Sequence, residues 1–307
     1  TSLPLPNPHP QIPNPGFGGS AAKARGVALL LVMWIIALLA TLVAAFAFSA
    51  RIERLQARSL DQEVVVGQAA RAGLEYALTR VFENDPRLRW KPDGRPYPWA
   101  FGDSQVEVSI IDESGKVDLN TADVPFLSQL FVVLGTDKQA ADRLAAAIAD
   151  WRDIDNLTQP QGGAEDPDYA SAGLPYGAKD APFDTVAEVE QVLGMTPQLY
   201  AKVAPLLTVY SGQMRPDPNY APAEVLQALG VDAAPILARR KQTQPKPGDL
   251  DDSALLGGGT GTYSIVSRAR LRDGRQAVLK AVVRAGIGTV PGSAYLALRW
   301  EEGAIPR

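Results

Sequence analysis

The chain has 307 residues, 30 basic and 34 acidic side chains, a formal net charge of −4 and no cysteine. This mild acidity argues against a nucleic-acid partner, whose phosphates favour basic faces, and without cysteine there are no disulfides, thiolate nucleophiles or Cys-ligated metals. The single histidine, His9, lies in a proline-rich stretch, so Ser-His-Asp catalysis and His-ligated zinc fail on inventory.

Residues Thr1 to Ser20 hold six prolines and no core-forming pattern, which suits a disordered cytoplasmic extension. Val27 to Phe48 follows with no charge and one weakly polar residue, Thr41. A helix of that length is roughly 33 Å long and matches a bilayer core of ~30 Å. A cleaved secretory signal has a much shorter apolar region, so 27–48 is expected to be a transmembrane helix. The basic residues Lys23 and Arg25 before it are outnumbered by Arg51, Arg54 and Arg58 after it, so charge bias alone does not orient the span.

Past the membrane, Leu74, Ala77, Leu78, Val81 and Phe82 repeat at helical spacing, with Arg54, Arg58, Arg71 and Glu75 on the solvent side. Asn84, Asp85 and Pro86 end that helix. Val106, Val108 and Ile110 alternate with polar residues, Asp112 to Gly115 offers a turn, and Val117 and Leu119 continue the pattern as first strands. Strands return at Tyr263–Leu271 and Ala277–Arg284 around Asp273-Gly274, a hairpin signal, and at Tyr295–Trp300. The residues between, 120–250, look helical. The expected architecture is therefore α+β: a long N-terminal helix on a small antiparallel sheet, split by a large all-α insertion. The linker Gln242–Ser253 leads back to the strands of 251–307.

Asp150, Asp153, Asp155, Glu165, Asp166 and Asp168 lie close together in sequence, opposed only by Arg152. Carboxylates this dense repel one another unless they are solvated or hold a hard cation. Ca²⁺ takes oxygen ligands of this kind, and soft ligands for transition metals are absent. The spacing is not an EF-hand. A bound cation and a solvated acidic loop both stand on these residues alone.

The basic leader ending in Gly26, placed directly before a long apolar helix, resembles a type IV prepilin. The resemblance implies a leader 1–26 cleaved between Gly26 and Val27 by prepilin peptidase, methylation of the new terminus, and the N-in orientation. RGVALLLVMWIIALLA at 25–40, IDESGKVDLNTAD at 111–123, DWRDIDN at 150–156, GAEDPDYASAGLPYGAKDAPFDTVAEVEQVLGMTP at 163–197 and APLLTVYSG at 204–212 together resemble the type II secretion minor pseudopilin K family. The family's Asn-rich repeat is degraded here to DPNYAPAEVLQALG at 217–230. The resemblance implies a type IV pilin-like fold with domains 1–26, 27–48, 49–119, 120–250 and 251–307. It also implies a single-pass inner-membrane protein whose bulk is periplasmic, supporting export of folded proteins from the tip of a pseudopilus. Its implied partners are minor pseudopilins I and J, then H and the major pseudopilin, with the secreted substrate and the secretin beyond. Structural calcium in the helical domain is a property of that family, with the six acidic residues above as its ligands. Where major pilins carry Glu at the fifth mature position, this chain has Leu31. An unpaired carboxylate in an apolar core is costly, and a subunit at the very tip has no neighbour above to neutralise one.

Two rival readings are weaker. An acidic hydrolase lacks a nucleophile, a basic clamp and a histidine. A membrane-anchored helix-hairpin-helix nucleic-acid binder has SAM-like segments in its favour, at VDLNTADVPFLSQLF and FDTVAEVEQVLGMTPQLYAKV. Each of its hairpins, at 134–137 and 193–196, carries one glycine, and the neighbouring surface is acidic. Gly257–Gly261, without a following lysine, is a flexible connection and not a phosphate loop.

Overall fold

The structure is a computed structural model that describes residues 21–85, 87–241, 260–286 and 294–305. The extension up to Ser20, Pro86, the linker at Gln242–Ser253 and most of Gly257–Gly261 lie outside the described residues. The chain divides into two units, Thr1–Asp61 and Gln62–Arg307.

In the first unit the described residues belong to helix α1, whose full extent is Ala21–Val81. Its backbone is helical through Gly26 and Val27. The stretch long and apolar enough to cross a membrane is Val27–Arg54, none of it buried within the chain.

The second unit builds a sheet on the last turns of α1. Val66, Ala69, Ala70, Leu74, Ala77, Leu78 and Val81 form the helix face buried against it. Phe82 lies past the end of the helix and is 56% exposed, so the apolar stripe stops at Val81. Close approach depends on Gly73, where a Cβ would stand 2.3 Å from Ser267 Oγ and 2.8 Å from Val106.

The sheet strands are β1 (Asp93–Phe101), β2 (Ser104–Asp112), β5 (Thr262–Leu271), β6 (Gln276–Ala285) and β7 (Tyr295–Ile305). They lie in the order β1-β2-β5-β6-β7, with every pair antiparallel. Strand β1 was not foreseen, because Pro96 and Pro98 disguise it. As an edge strand it tolerates prolines on its unpaired side, and its aromatic residues Tyr97 and Trp99 turn inward, Trp99 stacking on Tyr76 with centroids 4.5 Å apart.

Strands β2 and β5 pair from Ser104↔Leu271 to Asp112↔Tyr263. Everything between them is an insertion, a helical head. Its elements are β3 (Val117–Asp118), α2 (Val124–Val133), α3 (Lys138–Arg152), α4 (Asp166–Ser171), α5 (Pro197–Val203), β4 (Leu207–Thr208), α6 (Ala223–Ala228) and α7 (Ala233–Lys241). Val117 and Leu119 were expected to extend the main sheet. Instead Val117–Asp118 pair in parallel with Leu207–Thr208, making a short neck at the base of the head. The head has its own core around Phe126, Phe131, Ile148 and Tyr169, and among the described residues it shares none with the helix–sheet core.

Candidate metal centre

The site grows from the end of α3. That helix presents Ala141, Leu144, Ala145 and Ile148 to the head core. The same burial carries Asp150, 0% exposed, into the interior. Asp153 is its C-cap residue, with its N–H bonded to the Ala149 carbonyl.

The loop that follows folds back over Asp150. Gln159 N–H donates to Asp150 Oδ1 at 3.2 Å, and Gly163 lies so close that a Cβ there would stand 1.8 Å from Asp150 Oδ2. Glu165 is the N-cap residue of α4 and is 2% exposed.

Among the described residues neither oxygen of Glu165 has a hydrogen-bond partner, and Asp153 Oδ1 and Asp180 Oδ1 are likewise buried without one. An ionised carboxylate in that condition is strongly unfavourable unless a cation compensates it. Burial pushes the Glu165 carboxyl up to about 7, and the charges of Asp150, Asp153, Asp180 and Asp155 add to the rise. Burial likewise lifts Asp150 to about 6, against the lowering effect of its Gln159 and Ala164 amide bonds, with Asp153 and Asp155 raising it further. The Asp153 carboxyl is raised too, first by burial and then by Asp155.

Arg152, the nearest cation in sequence, neutralises little of this. Its guanidinium is spent on the carbonyls of Leu119 and Ala122.

The structure thus gathers Asp150, Asp153, Asp155 and Glu165, and adds Asp180, which sequence reading passed over. Asp166 and Asp168 are held elsewhere. Asp168 accepts the Glu165 N–H at 3.0 Å as part of the α4 cap, and Asp166 lies against Gly177. Asp180 adopts φ +53°, a left-handed backbone uncommon outside glycine. Its neighbour Lys179, which suggests a local ion pair in sequence, turns to Asp184 and Glu188 instead, each at 2.6 Å.

Among the described residues no three acidic groups already stand in coordinating geometry. The donor set is all hard oxygen, which fits an alkaline-earth ion and not a soft one.

Fold and site together define a mixed helix and antiparallel-sheet protein with an N-terminal apolar helix and an inserted helical head lined by acids. The sequence profile described as Type II secretion system (T2SS), protein K matches residues 108–212. Type II secretion system protein K of Pectobacterium carotovorum is 28% identical over 60% of this chain and 62% of its own length. The Pseudomonas aeruginosa protein K is 25% identical over 87% of this chain and 90% of its own. The chain spans about 62% of the length of the Pectobacterium and Klebsiella relatives it matches. A chain in the crystal structure of the GspK-GspI-GspJ complex from the enterotoxigenic Escherichia coli Type 2 Secretion System shares the fold, with TM-score 0.55 and 18% identity. That match covers 83% of this chain and 99% of the other. The chain is thus similar to type II secretion system protein K, over residues 108–212 by the family profile and in fold to a solved relative.

Proposed function

We propose that this chain is a minor pseudopilin that caps a periplasmic pseudopilus with its helical head. In this reading the apolar helix Val27–Arg54 is a single inner-membrane anchor, the leader is removed after Gly26, and the exposed helix joins partner helices laterally. The partners are counterparts of the I and J chains named with the solved protein K relative. The H and major pseudopilins follow below, and export of folded cargo through the secretin is the task served. The observation that supports a cap most directly is the insertion of a complete second core between neighbouring strands β2 and β5. It widens the subunit without interrupting the sheet. Leu31 at the fifth mature position agrees with a subunit that has no neighbour above it.

In the same reading the head holds structural Ca²⁺ through Asp150, Asp153, Glu165 and Asp180, with Asp155 at the rim. The unpartnered buried oxygens of Asp153, Glu165 and Asp180 support it. Bound calcium would supply the missing positive charge and tie the 153–165 and 176–180 loops to the end of α3.

The head is a SAM-like, helix-hairpin-helix-like scaffold that does not bind nucleic acid. At the N-terminus of α3, where a phosphate would seat, Asp137 Oδ2 already accepts the N–H groups of Gln139 and Ala140. At α5 the Thr196 hydroxyl accepts the Leu199 N–H. Both anion seats are filled by the chain itself.

Two measurements test the proposal separately. Calorimetric titration of the detergent-solubilised, EDTA-stripped chain is expected to show calcium binding that Glu165→Gln abolishes. Co-expression with the I and J pseudopilins of the same system is expected to yield a co-purifying complex. Absence of that complex sinks the pseudopilin reading, and absence of calcium uptake sinks only the metal.

A further inference from the structure

We propose that Glu113 is the positioning residue that fixes the angle of the head on the sheet. Among the described residues the apolar cores of head and sheet share no side chain. Between them lies a short neck, the two-residue hydrogen-bonded pairing of β3 with β4, Val117↔Leu207 and Asp118↔Thr208. A neck this short, with no common apolar core across it, restricts twist weakly. Directional polar contacts must therefore set the orientation.

Glu113 sits at the base of the neck and is 1% exposed. Its Oε1 accepts Lys116 Nζ at 2.6 Å from its own turn and the Ser264 hydroxyl from β5 of the sheet. Its Oε2 accepts the Thr208 hydroxyl from β4, where the chain leaves the neck. Lys116 Nζ also reaches Ser264 Oγ at 3.1 Å. One buried carboxylate thus joins the turn leaving the sheet, the neck and the sheet itself. Bonds to a charged acceptor are stronger and more directional than neutral ones, and water does not replace them at a buried site.

The surroundings fit a seat for this joint. Asp112 Oδ1 accepts Ser114 N–H at 2.9 Å, and Asp217 N–H donates to the Ser114 carbonyl at 2.8 Å. Gly115 lies against the Tyr220 backbone, where a Cβ would stand 2.4 Å from the carbonyl carbon. Across the neck, Arg284 donates to the Tyr210 carbonyl at 3.2 Å. Of these residues only Glu113 touches turn, neck and sheet with one side chain.

The inference is independent of the tip role, and so is its test. The chain has no cysteine, so spin labels at Gln198→Cys in the head and Arg270→Cys on the sheet report one inter-label distance in the full detergent-solubilised protein. The expected result is a single narrow distribution. Glu113→Ala should broaden it at least twofold. Thr208→Val with Ser264→Ala removes the two hydroxyl donors while leaving the Glu113–Lys116 pair, and should broaden it as well. Calcium uptake by the head should be unchanged in both. A folded Thr208→Val/Ser264→Ala protein with the parental width overturns the proposal, even where Glu113→Ala fails to fold.

Discussion

Replacing Glu165 by Gln should have opposite effects on stability with and without calcium. Glu165 is 2% exposed, has no hydrogen-bond partner on either oxygen, and is shifted from an ordinary 4.5 to about 7 by burial and by the neighbouring acids. Each tenfold change in proton affinity is worth about 1.4 kcal/mol, so the penalty above pH 7 is on the order of 3 kcal/mol. Water reaching the rim of the cluster screens that to about 2 kcal/mol. The sign follows from the raised value. Below about pH 4.5 the group is protonated whether folded or not, and no penalty exists; the penalty grows as pH rises toward 7 and is complete above it. In EDTA at pH 8, Glu165→Gln should therefore melt about 4–8 °C higher than the parent, at 2–4 °C per kcal/mol for a unit of this size. At pH 4 the two should melt together. In millimolar calcium the order should invert, because the parent alone keeps a full ligand set. Thermal melts of both proteins under the three conditions decide it. A variant that is less stable than the parent in EDTA at pH 8 refutes the view that Glu165 is an uncompensated charge.

Gly163→Ala would drive a methyl group against the buried Asp150 carboxylate. A loss of about 2 kcal/mol and weakened calcium uptake are expected by urea melts and calorimetry; parental values would mean the loop yields freely. Arg152→Ala should cost on the order of 2 to 3 kcal/mol in chemical denaturation, because the Leu119 and Ala122 carbonyls lose their donors. Asp137→Ala should lose about 1 kcal/mol and speed hydrogen exchange at Gln139 and Ala140. If those two amides stay protected, the cap assignment is wrong.

The helix face from Leu74 to Val81 and the alternation of Val106, Val108 and Ile110 were legible because one side of each is buried and the other is not. The Asp273-Gly274 turn was legible for a different reason: Gly274 has φ +90°, which few other residues accept. Strand β1 was not legible. Its period-2 signal rests on Tyr97 and Trp99 facing in, and Pro96 and Pro98, each just before one of them, read as loop. The neck misled for the opposite reason, since Val117 and Leu119 are apolar enough for the main sheet but pair elsewhere.

At the acidic site, density of charge in sequence pointed to Asp150, Asp153, Asp155 and Glu165, whose charges act on one another in the fold. It could not show that the α4 cap consumes Asp168, because capping and ion binding want the same residue types. Asp180 was invisible because its approach comes from a distant loop and a left-handed backbone, neither written in local spacing.

The insertion point also dictates an order of events during folding. Asp112 and Tyr263 are register partners, yet with the head unfolded their pairing closes a loop of about 150 residues, at an entropic cost on the order of 4 kcal/mol. A head already folded brings Asp118 and Thr208 together and removes most of that span. The central strand pair is therefore expected to zip only after the head has formed. In a chain emerging from its N-terminus, β2 must wait unpaired on its β5 side until then, and whatever speeds maturation of the head shortens the time that edge stands open to the wrong strand.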